Sequence, residues 1–157
     1  MKTKKVLVPL DDTTFSLQVL PYVTELFDPE HSEIFLLHVE KPPNAVTVDE
    51  QVVVYADQAT ASMKAEGLRT LHPYVRSLEA LGFPVTPIVA FGDPAREIQH
   101  IADEMNFDVI AMTTHGREGI DRVLHGSVAR EVISHANRPV LLYRASSVNG
   151  DESTLGH

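Results

Sequence analysis

Five short apolar runs, Lys5 to Pro9, Glu33 to Val39, Pro84 to Ala90, Asp108 to Thr113 and Pro139 to Tyr143, alternate with segments of helical periodicity. No other feature of the chain restricts its fold as much. The runs are apolar at consecutive positions rather than at every second one, as in strands covered on both faces, and the segments between them are long enough for parallel crossovers. The pattern predicts an α/β protein built on a doubly wound five-stranded parallel sheet, Rossmann-like, with helices on both faces. In a chain of 157 residues this amounts to one domain over 1–145, and the remainder, 146–157, lacks apolar periodicity and is expected to be a disordered polar tail.

The helical segments carry their own punctuation. Ser16, Val19, Leu20, Val23, Leu26 and Phe27 recur at helical spacing, with Pro21 expected to distort the helix they form. A longer helix is predicted from about Asp49 to Leu81, where Ala56, Ala59, Met63, Leu71, Val75 and Leu78 repeat, with a kink near Pro73. Lys41 to Thr47 reads as a connecting loop. Asp93 and Pro94 supply a capping side chain and a first-turn proline to a helix whose apolar face is Ile98, Ile101, Ala102 and Met105. A last helix, Val128 to Ala136, is closed by Asn137 and Pro139.

The stretch from Thr113 to Ser127 leads from the fourth run into that last helix, where α/β proteins build phosphate sites. Gly116 permits a sharp turn at the carboxyl end of the strand, while Gly126 and Ser127 offer N–H groups and a hydroxyl at the helix N-terminus, whose dipole favours an anion. His115, Arg117, Arg122 and His125 add basic groups, none singled out. Asp11, directly after the first strand, either accepts hydrogen bonds from ribose hydroxyls or caps the helix beginning near Thr13, and the residues alone leave these readings equal. There is no Walker A lysine, no Gly-x-Ser-x-Gly elbow and no His-Glu-x-x-His spacing, so no catalytic residue and no protein-held metal is assigned.

The spacing of Gly116, nine residues, then Gly126-Ser127, followed by Asn137-Arg138-Pro139-Val140-Leu141-Leu142, resembles the nucleotide-binding signature of the universal stress protein family, ATP-binding type. The family form is Gly-x2-Gly-x9-Gly-Ser/Thr. Three of its positions match, and Thr113 stands at the first glycine, where its Cβ restricts backbone approach and its hydroxyl offers a donor to phosphate or ribose. The resemblance extends from Val6-Leu7-Val8-Pro9-Leu10-Asp11 through Gly92-Asp93-Pro94-Ala95 to the last strand, and it implies strand order 3-2-1-4-5. It also implies ribose contact by Asp11, pairing of the Val39 backbone with the adenine edge, and triphosphate contact at Thr113, Gly116, Gly126, Ser127 and Val128. Asp12 is left to a capping or metal-adjacent role, and Pro9 and Ala90 either line the base pocket or simply pack. The implied ligand is ATP, with ADP or AMP as alternatives, and Mg²⁺ arriving with the nucleotide. The implied assembly is a homodimer through strand 139–144, acting as a nucleotide-sensing or signalling module in stress response.

Charge and composition narrow the remaining classes. With 13 basic and 22 acidic residues the formal charge is −9, which repels nucleic-acid phosphates, so no nucleic-acid partner is expected. The absence of cysteine removes thiol chemistry. The apolar stretch Val6 to Leu10 is too short for a signal peptide and no run approaches bilayer length, so a cytoplasmic protein without a membrane partner is expected. Two other readings stay open: a slow ATP-hydrolysing enzyme of the adenine-nucleotide alpha-hydrolase-like fold, for which no general base is visible, and a dimer module that binds no nucleotide, which Thr113 leaves alive.

Overall fold

A computed structural model describes residues 2–11, 13–42, 51–115 and 127–145, with the backbone alone for 51–57 and 115. Asp12, Gly116, Arg117, Arg122, His125, Gly126, most of the Lys41 to Thr47 loop and the tail 146–157 lie outside the described residues. The strands are β1 (Lys4–Pro9), β2 (Ser32–Glu40), β3 (Val85–Phe91), β4 (Val109–His115) and β5 (Val140–Ala145), each within two residues of its apolar run. They form one parallel sheet in the order β3-β2-β1-β4-β5. This is the expected 3-2-1-4-5 arrangement.

Side-chain alternation along β1 and β2 divides the core in two. Val6, Val8, Ile34 and Leu36 point to one face and pack with Val19, Val23, Leu71, Val75 and Leu78 from α1 (Leu20–Leu26), the 3₁₀ turn Ser16–Val19 before it, and α2 (Gln51–Ala80). Leu7, Phe35 and Leu37 point to the other face and meet Ala95, Ile98, Ala102, Ala129 and Val132 from α3 (Pro94–Glu104) and α4 (Ser127–His135). Each fully buried Val, Leu or Ile contributes about 1.5–3 kcal/mol of transfer free energy, so both faces must be covered for the sheet to hold.

The two helix prolines act differently from each other. The distortion expected in the first helix is a change of type: the 3₁₀ turn Ser16–Val19 runs directly into α1, and Pro21 falls in the first turn of α1. Pro73 lies inside α2, which continues through it as one element. Because Arg69 and Pro73 are both exposed, water can reach the carbonyl that the proline fails to serve. Gly67, also in α2, has a packing reason: a Cβ there would lie 2.9 Å from Val89 Cγ2 and 3.3 Å from His38 Cδ2, so the helix lies directly on the sheet.

Rung directions follow from the bonds at the strand ends. Ile34 N–H donates to the Pro84 carbonyl and Gly92 N–H to the Glu40 carbonyl, so even-numbered residues of β2 bond toward β3 and odd-numbered ones toward β1. The same alternation turns the backbone of Pro87 outward at the β3 edge. On β5, Ile110 N–H donates to the Pro139 carbonyl, which turns the N–H and C=O groups of Val140, Leu142 and Arg144 outward at the opposite edge.

Candidate functional site

The sheet opens where its strand order reverses. The register of β1 on β4 consists of Val6 with Val109 and Leu7 with Ile110, whereas β4 continues to His115. Beyond that point the two strands part, and the 3₁₀ turn enters the gap: Thr113 Oγ1 donates to the Ser16 carbonyl at 3.2 Å. A cavity of about 910 Å³ lies at these carboxyl ends, walled by α3 through Pro94 and Ile98 and by α4 through one polar face, Ser127, Arg130, Glu131, Ser134 and His135.

Six of the predicted site residues, Pro9, Asp11, Val39, Thr113, Ser127 and Val128, line this one cavity. Gly116 and Gly126 lie outside the described residues. Ala90 is not on the cavity wall and packs beside Ile88 and Val39 in the second core. α4 is described from Ser127 onward, and Ser127 lies on the cavity wall.

Asp11 takes the local capping role with one carboxylate oxygen and leaves the other over. Its Oδ1 accepts from the Thr13 N–H at 2.8 Å and from the Thr13 hydroxyl, closing the turn into Ser16. Its Oδ2 accepts no hydrogen bond among the described residues and remains available to a ligand. Ser16 Oγ ties the turn further, lying 3.2 Å from the Asp11 N–H and 3.1 Å from the Asp11 carbonyl. A hydroxyl both accepts and donates, so one serine fits both groups.

The Val39 backbone is left open by the ladder itself. Leu10 N–H donates to the Leu37 carbonyl at 2.8 Å, the last rung between the β1 segment and β2. The next would run from Val39 N–H to the Leu10 carbonyl, and it is not made; that carbonyl instead faces His38 Nδ1 at 3.1 Å. Among the described residues, Val39 therefore turns toward the cavity that it lines an N–H and a C=O that pair with no other backbone group. Buried backbone groups are nearly always paired, so an open pair at a cavity wall marks a place for a ligand or water.

The cavity carries mixed charge, with the carboxylates of Asp11 and Glu131 and the guanidinium of Arg130, which has no ion pair among the described residues. His135 Nδ1 donates to the Glu131 carbonyl at 3.1 Å, and Ser134 Oγ to the Arg130 carbonyl at 2.8 Å. Arg130, Ser134 and His135 were not legible as cavity residues, because a polar helix face reads from sequence as solvent-facing. The one available signal was their spacing after Ser127, three, seven and eight residues on, which keeps them near its side of the helix.

Residues 2–144 match the family model of the universal stress protein family. Universal stress protein MJ0577 of Methanocaldococcus jannaschii is 27% identical over 153 residues, covering 90% of this chain and 94% of the relative. The solved structure of MJ0577 superposes with a TM-score of 0.76 at 28% identity, covering 93% of this chain and 99% of that one. A universal stress protein family structure from Arabidopsis thaliana, determined with AMP bound, has a TM-score of 0.66 at 21% identity, covering 92% of this chain and 93% of that one. The parallel sheet, its strand order and a family match running from one end of the described domain to the other agree, and the chain belongs to the universal stress protein family.

Proposed function

We propose that the cavity binds an adenine nucleotide, ATP with ADP or AMP as alternatives, and that the protein works as a homodimeric nucleotide-sensing or signalling module in stress response. The observation that carries this reading is the Val39 N–H, which among the described residues makes no rung to the Leu10 carbonyl at the cavity wall. Adenine presents a ring-nitrogen acceptor beside an amino donor, and one residue's outward N–H and C=O complement that edge. Asp11 Oδ2 is suited to a ribose hydroxyl, and the N-terminus of α4 at Ser127 and Val128 to the phosphates, with Gly116 and Gly126 supplying further amides. The AMP bound to the Arabidopsis protein is in keeping with a ligand of this class.

Among the described residues no group of three His, Asp or Glu side chains is arranged to hold a metal. Mg²⁺ would arrive with the nucleotide and be bound largely through its phosphates and water. The fit of the site to a nucleotide rests on its hydrogen-bonding groups and requires no turnover. Calorimetric titration with Mg-ATP tests the reading. Wild type should bind, and Ser127→Asp should reduce affinity at least about tenfold by setting a carboxylate against phosphate, although an acidic residue at a helix N-terminus favours the fold. A wild-type protein that takes up neither ATP, ADP nor AMP would overturn it.

A further inference from the structure

We infer that His38 is a positioning residue that holds the Val39 backbone open for the adenine base by taking the Leu10 carbonyl away from it. The inference rests on the nucleotide reading above and adds a residue to it. His38 is buried, with 5% of its surface exposed, and its side chain leaves the sheet on the α2 face while Val39 lines the cavity. Its Nδ1 lies 3.1 Å from the Leu10 carbonyl, and its Nε2 lies 2.8 Å from Glu40 Oε1. A carbonyl only accepts, so the Nδ1 proton is directed at Leu10. Glu40 steadies the ring from its other side, and the backbone of α2 at Gly67 lies close over it: a Cβ built at Gly67 would stand 3.3 Å from His38 Cδ2.

In a regular parallel ladder the Leu10 carbonyl would accept from Val39 N–H and continue the pairing that ends at Leu10 N–H and the Leu37 carbonyl. The side-chain bond replaces that rung. It ends the pairing of β2 with the β1 segment one residue before the base site, and it leaves Val39 N–H unspent at the cavity. A residue at 38 that cannot donate would free the Leu10 carbonyl, and the Val39 amide, the nearest backbone donor in register, would close on it. The sheet would then occlude its own ligand edge.

Amide hydrogen exchange measured by NMR, together with calorimetry, tests this. In the free wild-type protein Val39 N–H should exchange much faster than Leu37 N–H, an interior rung. In His38→Val the Val39 amide should become protected and ATP affinity should fall about fivefold, the scale of one hydrogen bond, while affinity for inorganic tripolyphosphate, which has no base, stays the same. His38→Asn, whose amide nitrogen sits near the Nδ1 position, should restore both ATP affinity and rapid Val39 exchange. Equal protection of Val39 and Leu37 in free wild type, or unchanged ATP affinity and Val39 exchange in His38→Val, would overturn the inference. If His38→Val does not fold, wild type decides: a Val39 amide exposed without ATP and protected with it supports the inference, and protection in both states refutes it. Should wild type bind no adenine nucleotide, the nucleotide reading fails, while Val39 exchange in the free protein still tells whether His38 displaces the rung.

Discussion

Thr113 stands where the family pattern has a glycine, and the structure gives the threonine work that a glycine could not do. Its hydroxyl donates to the Ser16 carbonyl and so ties β4 to the turn that carries Asp11. Thr113→Gly should therefore cost about 1 kcal/mol in urea unfolding, through the lost hydrogen bond and the added backbone freedom. Titration of the same variant with ATP reports whether the Cβ also limits phosphate approach. Gly67 is the opposite case. Alanine is the better helix former by about 1 kcal/mol, yet the stiff Val89 side chain would stand 2.9 Å from the new Cβ, and overpacking costs about 1–3 kcal/mol. Gly67→Ala should lower the urea midpoint, and an unchanged or higher midpoint would show that α2 lifts from the sheet without penalty.

At the scale of elements, the amino-terminal end of the sheet is pinned by two carboxylates. Asp103, at the end of α3, accepts from Asn137 and Arg138 ahead of β5, and Asp108 accepts from the Lys5 backbone N–H at the start of β1. Hydrogen bonds hold both below their ordinary 3.8, mainly that from Asn137 to Asp103, helped by Arg138, and that from Lys5 N–H to Asp108. A carboxyl depressed in the folded state contributes stability above its unfolded value and loses it as pH falls through the folded value. Urea midpoints should therefore drop below about pH 4, and in Asp103→Asn that drop should shrink while the pH 7 midpoint is already lower. The strands were legible because both-face burial makes each a continuous apolar run, and α3 because Asp93 and Pro94 mark its start, with Asp93 Oδ1 accepting from Arg96 N–H at 3.1 Å. Pro21 was legible as a distortion, whereas the form it takes, a 3₁₀ turn ahead of α1, was not. The exposed edge of Val39 follows from where β1 leaves β2, a long-range register, and the displacement of its rung by His38 follows from a side chain packed under α2. Neither is encoded locally.

For the molecule as a whole, the two sheet edges differ. At β3 the outward backbone includes Pro87, which has no N–H to offer, whereas at β5 Val140, Leu142 and Arg144 turn outward with every donor intact. Leu142 is exposed to 39% of its surface, and Tyr143 stacks on Tyr22 with ring centroids 4.1 Å apart, stiffening the strand from its inner side. These features favour the proposed homodimer through strand 139–144, in which the antiparallel β5 edges of two copies pair. Light scattering after gel filtration should give twice the chain mass, and Leu142→Lys should shift the population toward monomer without unfolding it, since the side chain is exposed. A wild-type monomer at micromolar concentration would remove the proposal. In such a dimer the inequality of the edges would limit further assembly. A sheet with two receptive edges can add copies without end and grow into fibres, whereas one receptive edge is consumed by the first encounter. In the proposed dimer the proline at 87 would work as a stop on polymerisation, and its replacement by a strand former such as valine would be expected to show first as turbidity in concentrated samples rather than as any loss of fold.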